Sequence, residues 1–414
     1  MGVPSHKRLS PTSGSGGVRM VSPEDGARNV WVISASNLLT GTYNNLLQVV
    51  LQPFVVRLTG SVVVLSVLQG LATRMGGVVG SLSQLAGGHL ADRWGRRPVM
   101  LLASGFNMTS LSLFVATALT MWWPLLVPSF LFLGLGLMSS PASQSMVAES
   151  VAVRGRAMAY SKVLFFLILP AALIAFLGGF LADRFGYALI FALSLGLEAT
   201  NLTLFVLLLR ETYRGGNALG GPWRRITRLR QPPLRGLLVV ACVDTFAWTI
   251  SSMIIYGMIV EEFGFANTDI GILVGIWAVV FAGSTLPMGK LVERLGSRWP
   301  MFLSELFGIP VMLGWIVSRT LLDFSIVAIF NGLTASTWVP AWQTVVANSV
   351  GDESRGEVTG QLTAIRGFFA FPAPILGGAL YAAFGYPAPM IASFFGALIA
   401  AVLVLKYIPA HRET

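Results

Sequence analysis

Apolar runs of about 20 residues or more recur twelve times along this 414-residue chain. Each is long enough to cross a bilayer core of ~30 Å as a helix. They fall near 29–56, 61–88, 98–120, 124–148, 158–181 and 187–209, then near 236–259, 269–290, 299–319, 323–347, 358–382 and 388–407. Only 11% of the residues are charged, against roughly 25% in a soluble domain. Lipid offers unpaired peptide groups no partner, so the spans are expected to be helices. The expected fold class is all-α and integral to a membrane, with twelve transmembrane helices.

Lys and Arg set the expected orientation. With both termini and the even-numbered loops in the cytoplasm, 22 of the 28 basic residues lie inside. Three lie outside (Arg57, Arg184, Arg319) and three within spans (Arg74, Lys162, Arg366). The net charge of +10 is thus a topology signal, and no nucleic-acid partner is expected. Residues 1–28 are rich in Ser, Pro and Gly without an apolar stretch, so a disordered cytoplasmic tail is expected, not a cleavable signal. Residues 210–235 carry seven arginines among Gly and Pro. They read as a cytoplasmic linker joining a six-helix bundle at 29–209 to a second at 236–407, with 408–414 as a short cytoplasmic tail. Cys242 is the single cysteine, so no intrachain disulfide forms.

The two halves repeat. "PASQSMVAESV" (141–151) and "PAWQTVVANSV" (340–350) agree at seven of eleven positions, and each is followed by Arg-Gly. "GHLADRWGRRPVM" (88–100) aligns with "GKLVERLGSRWPM" (289–301), and "LGGFLADRFGY" (177–187) with "LGGALYAAFGY" (376–386). Three landmarks in one order argue for duplication, and a duplicated helical bundle is a transporter architecture with its site between the halves near midplane.

The loop "GHLADRWGRRPVM" resembles the signature of the major facilitator superfamily, placed between the second and third helices. Gly88, Leu90, Ala91, Asp92, Arg93, Gly95, Arg96 and Arg97 fit the pattern. The resemblance covers the chain beyond residue 28. It implies two pseudo-symmetric six-helix bundles and alternating access. It also implies that Gly88, Asp92, Arg93, Gly95, Arg96 and Arg97 form a conformational latch for the outward-open state. The bland alternative is a topology anchor. Many proton-coupled exporters of this family carry an Arg in the fourth helix, four residues before a Gly; here Phe130 stands there, before Gly134. They also carry a Gly-Pro in the fifth helix, where this chain has Ile174 and Ala175. Drug efflux therefore does not follow from the resemblance.

Polar residues inside the spans mark the expected cavity. Asn37, Gly41, Asn44 or Asn45, Gln48 and Gln52 recur at helical spacing in the first helix. Amides facing lipid would go unsatisfied, so this stripe is expected to face protein or water. The alternative is glue between helices. In the seventh helix Asp244, Trp248, Ser251 or Ser252, and Tyr256 form the counterpart, with Asp244 the candidate for proton coupling. Arg74 and Arg366 lie near midplane in the second and eleventh helices. Two guanidiniums there suit a bidentate hold on an anion; pairing with Asp244 is the competing reading. Gln144, Trp338 and Gln343 add to the cavity, whereas Glu198 and Glu305 are expected to be peripheral and locally paired.

No phosphate-binding loop or catalytic constellation is present, and His6, His89 and His411 lie outside the spans. No enzyme activity, cofactor or metal is expected. The reading is a monomeric secondary transporter in the cytoplasmic membrane. Its partners would be the lipid bilayer, a small-molecule solute for which the arginines favour an anion, and protons. A proton antiporter exporting drug-like amphiphiles is the near alternative, and a transporter-like sensor without flux the distant one.

Overall fold

The computed structural model describes residues 23–72, 77–152, 155–212, 232–349 and 355–410. The first half holds α1 (Pro23–Thr59), α2 (Val62–Leu71), α3 (Gly77–Trp94), α4 (Arg96–Thr120), α5 (Leu126–Gly136), α6 (Ser139–Ser150), α7 (Arg156–Ile168), α8 (Ala171–Phe185) and α9 (Tyr187–Leu208). The second holds α10 (Pro232–Ser252), α11 (Ile255–Phe263), α12 (Asn267–Leu295), α13 (Arg298–Val317), α14 (Leu321–Ser349), α15 (Arg355–Ala370), α16 (Pro372–Phe384) and α17 (Pro387–Tyr407). No strand occurs among the described residues.

Ten helical segments among the described residues are long and apolar enough to cross a membrane. The other two expected runs differ for physical reasons. The first is one 37-residue helix, α1, whose amide stripe lowers its hydropathy. The second is α2 and α3, on either side of residues 73–76. Two expected boundaries also shift. The first helix starts at Pro23 rather than after residue 28, since Pro suits a first helical position and Glu24 and Asp25 complement the helix dipole. The second half starts with helix at Pro232, within the expected linker. The rest of that linker beyond Thr212, and most of the expected N-terminal tail, lie outside the described residues.

Several spans are broken near their middles. α5 gives way to α6 at Leu137–Met138, α7 to α8 at Leu169–Pro170, α10 to α11 at Met253–Ile254, and α15 to α16 at Phe371. Pro170 and Pro372 lack the N–H that would continue the ladder. A break frees donors that lipid cannot satisfy. At the α10–α11 break the Gly257 N–H donates to the Gln52 side chain of α1 at 3.1 Å. One amide of the expected stripe thus closes a helix end in the other half.

The apolar cores show how the halves meet. One large cluster draws Phe54, Phe114 and Phe191 from the first half and Ile254, Met258 and Phe324 from the second. At the end holding the Gly88–Arg97 loop the cores are separate: Val30, Met100 and Met146 belong to one, Leu237, Met301 and Val345 to the other. The halves therefore share an apolar core at one end, while at the loop end their cores are separate and α3 packs along α15. The fifth span shows the same divergence, with α8 packed along α12 and α7 along α1.

A polar clamp closes the joined end. Asp183, at the C-terminal end of α8, caps the N-terminus of α12. It accepts from the Asn267 N–H at 3.0 Å and side-chain amide at 2.6 Å, and from the Thr268 N–H at 2.7 Å and hydroxyl at 2.6 Å. Arg57 of α1 donates to the Tyr187 hydroxyl at 2.9 Å, which donates to Asn267 at 3.0 Å. Below the clamp, Gly179 and Gly271 let the two backbones touch: a Cβ on Gly271 would lie 2.6 Å from the Ala175 carbonyl oxygen. Asp183→Ala is expected to destabilise the protein by about 2 kcal/mol, the scale of a capping bond plus one charged hydrogen bond. Thermal unfolding in detergent measures it. Asp269→Ala removes a bond within one half, to the Ala266 N–H, and should cost less.

Candidate functional site

The signature loop is built as a staple within the first half. Arg96, on the first turn of α4, lies 2.7 Å from Asp92 of α3 and 2.9 Å from Glu149 of α6. Its Nε also donates to Glu149 at 3.2 Å. Glu211 caps α4, accepting the N–H groups of Arg96 and Arg97 at 3.0 Å each. Gly95 makes this reach available. Its φ of +105° suits glycine, and a Cβ there would sit 2.5 Å from Glu211 Oε2. Arg97 donates to the Val206 carbonyl at 2.7 Å, Arg93 is exposed, and Gly88 sits in ordinary contact with Pro141. Glu149 and Glu211 are the partners that the loop motif alone did not reveal. In the second copy Ser297 stands for Arg96 and Asn348 for Glu149, so the same ion pair cannot form there.

The first-helix stripe divides among several roles. Gly41 presses against the Leu167 carbonyl oxygen, which makes it a close-packing position between α1 and α7. Asn45 is buried and donates to the Gly41 carbonyl at 2.6 Å. Asn37 donates to the Val163 carbonyl at 3.0 Å. Gln48 is half-buried and partnered. Asn44, half-buried, carries its amide without a hydrogen bond among the described residues. Asn37 and Gly41 thus join α1 to α7 and Asn45 bonds within its own helix, while Asn44 and Gln48 stay half-buried.

The second half gathers the ionisable groups. Asp244 of α10 is 6% exposed and lies in the field of Arg366 of α15. The Arg366 guanidinium sits over the Trp342 ring, 5.5 Å from its centroid. Among the described residues it makes no hydrogen bond and no ion pair. Among the described residues none of its five N–H donors meets an acceptor. Trp338 and Trp342, one turn apart on α14, hold their rings parallel within 8° at 6.5 Å. Gln144 of α6 and Gln343 of α14 are exposed where the halves part. Trp248 instead packs edge-on to Trp315, 6.3 Å away, and covers Gly308 of α13. Arg74 lies outside the described residues. Lys162 is exposed, 5.7 Å above the Trp31 ring.

Glu305 is the departure. It sits on α13, 2% exposed, facing the Asp244 carboxyl rather than the periphery. No spacing in the sequence links residues 244 and 305, so pattern reading had no signal for the contact. Glu198, by contrast, pairs locally: it is fully buried and accepts from Ser104, Asn201, Tyr43 and Asn107.

The Major Facilitator Superfamily model matches residues 33–243 and 237–414, which takes in both halves. The chain belongs to the major facilitator superfamily. It is a multi-pass membrane transporter. Multidrug resistance protein MdtG of Citrobacter koseri is 23% identical over 400 residues, 95% of this chain and 98% of that protein. MdtG of Escherichia coli strain 55989 is 23% identical over 375 residues, 89% of this chain and 91% of that one. Among solved structures, a bacterial homologue of the human lysosomal transporter Spinster, inward-facing and occupied, superposes with a TM-score of 0.70 at 16% identity, covering 91% of this chain and 96% of that one. The human organic anion transporter MFSD10 gives 0.63 at 19%, covering 92% and 99%. At these identities the structures speak for the fold. Two six-helix bundles in this family's arrangement are what the sequence led one to expect.

Gly95→Ala is expected to cost about 1–3 kcal/mol, since the new methyl both strains the backbone and displaces the Glu211 cap. Thermal unfolding checks the loss. Adding Glu211→Gln should then cost less than it does in the wild type, because the cap is already displaced.

Proposed function

We propose that this chain moves a small organic anion across the cytoplasmic membrane by alternating access, coupled to protons through Asp244. The observation that carries this reading is the unspent guanidinium of Arg366. A charge near the bilayer centre costs several kcal/mol unless something repays it. Ion pairs and hydrogen bonds repay Arg96; among the described residues Arg366 has the field of Asp244 and the Trp342 ring beside it but no hydrogen bond or ion pair, so its donors stay open to a ligand. A carboxylate or similar group that docks on Arg366 would use its planar donor fork. The paired Trp338 and Trp342 rings offer a flat apolar surface beside it, and Asn44, Gln48, Gln144 and Gln343 offer neutral polar contacts. Arg74, at matching depth in the first half by sequence, would supply a second donor fork.

In this reading the loop end is cytoplasmic, as the basic residues require. The separate cores at that end support a state that opens to the cytoplasm, with α3 still packed against α15 there. The Arg96–Asp92–Glu149 staple, with Gly88, Arg93, Gly95 and Arg97 around it, would serve as a latch when that side closes. Both halves of the proposed site come from one chain, so a monomer suffices for the cycle.

A second reading has a specific basis. The relatives named above are multidrug resistance proteins, and the tryptophan pair would suit a lipophilic drug. Export of amphiphiles by proton antiport then replaces anion transport, and Arg366 becomes structural.

A thermal-shift panel on the purified protein separates the two. Small aromatic and aliphatic carboxylates are expected to stabilise the wild type. Arg366→Gln should weaken that effect by roughly 10–100-fold in apparent affinity, the worth of a charged hydrogen-bonding contact. Stabilisation by lipophilic cations alone, unchanged in Arg366→Gln, would favour the second reading. Flux of a stabilising carboxylate into proteoliposomes under an imposed pH gradient tests transport and coupling. No flux with any stabilising compound would point to a sensor.

A further inference from the structure

Glu305 is 2% exposed, and neither of its carboxyl oxygens meets a hydrogen-bond donor among the described residues. The group facing it, within hydrogen-bonding reach, is a second carboxyl, that of Asp244 on α10. A buried carboxylate without donors is among the costliest things a helical bundle can hold. Glu198 shows the ordinary solution. It is as deeply buried, and hydroxyl and amide donors from Ser104, Asn201, Tyr43 and Asn107 surround it. Glu305 has no such set.

The charges around the pair do not balance either. Arg366 of α15 faces Asp244, and Cys242 of α10 lies near Arg366. Among the described residues no other ionisable group faces the two carboxyls. One guanidinium offsets one carboxylate. The second carboxylate would leave a net negative charge in a site nearly free of water. A single proton removes both problems. Placed between the two oxygens, it supplies the missing donor and brings the cluster of Asp244, Glu305 and Arg366 to neutrality.

We propose that Asp244 and Glu305 form a carboxyl pair sharing one proton, so that Glu305 is a second residue of the proton-carrying site. Release is a simple heterolysis: the O–H bond breaks, the electron pair stays on the carboxyl oxygen, and the proton passes to water where the halves part. The pair extends the coupling role given to Asp244, yet it can be tested without any solute. Failure of the test leaves anion binding at Arg366 standing, and the reverse also holds.

The test is infrared spectroscopy of the purified protein in liposomes near neutral pH, in H2O and D2O. A protonated carboxyl has a carbonyl stretch that a carboxylate lacks, and the band moves on deuteration. The wild type is expected to show such a band. Glu305→Gln should remove the pair's share of it, with Glu198→Gln marking any share of that residue. Asp244→Asn should shift the band's frequency, because the hydrogen-bond partner has changed. Absence of the band in the wild type overturns the proposal, as does a band unaltered by both Glu305→Gln and Asp244→Asn. Loss of the band when sodium replaces choline also overturns it, in favour of a metal-cation site. Should Glu305→Gln fail to fold, the Asp244→Asn shift still decides between a shared proton and none.

Discussion

The architecture turns on one constraint: every peptide group inside the hydrocarbon layer must find its partner within the protein. Unbroken helices meet it automatically. Broken ones meet it with side chains borrowed from elsewhere, and these borrowings hold the molecule together. Gln52 of α1 closes the first turn of α11. Asp183 of α8 closes α12. Glu211 closes α4. Asn29 accepts the Arg210 N–H at 2.9 Å and donates to its carbonyl at 3.0 Å, which ties the start of α1 to the segment beyond α9. The bonds of Gln52 and Asp183 cross between the halves.

Packing follows from the same solvent. Lipid is as apolar as leucine, so helices gain little from hiding apolar surface and more from close approach. Glycine gives that approach at the seams: Gly41 against α7, Gly179 and Gly271 between α8 and α12. The shared core sits where such seams join the halves, and the separate cores lie where they do not. Rigid cores joined at one end are what a rocking transporter requires, since the halves can then move as bodies.

Much of this was legible in the residues. The twelve runs, the duplication and the loop motif each carry a local signal, namely length, repetition or spacing, and the family follows from them. The first-helix amides were visible as a stripe, but their roles were not. Periodicity says which residues share a face, not whether the neighbour on that face is a carbonyl, a helix end or open space. Gly41 turned out to pack against α7, Asn45 to bond one turn back in its own helix, and Gln52 to cap a helix. The long-range polar contacts were the least legible. Glu211 reaches Arg96 across 115 positions, and the meeting of Asp244 with Glu305 depends on how α10 and α13 are turned. Asp183 was hidden differently: it stood inside a quoted repeat, "LGGFLADRFGY", whose second copy carries no acid at that place. A repeat draws the eye to what is shared, and the clamp resides in what differs.

That difference bears on how the protein is made. A chain is synthesised from its N-terminus, and earlier parts settle first. The first half contains its own staple, with Asp92, Arg96 and Glu149 supplied before the linker and Glu211 at its start. The second half lacks the equivalent pair, having Ser297 and Asn348 instead. Its α12 begins with two N–H groups whose acceptor, Asp183, lies about 84 residues upstream. The earlier half thus carries its own staple, whereas α11 and α12 of the later half close their first turns on acceptors made earlier in the chain.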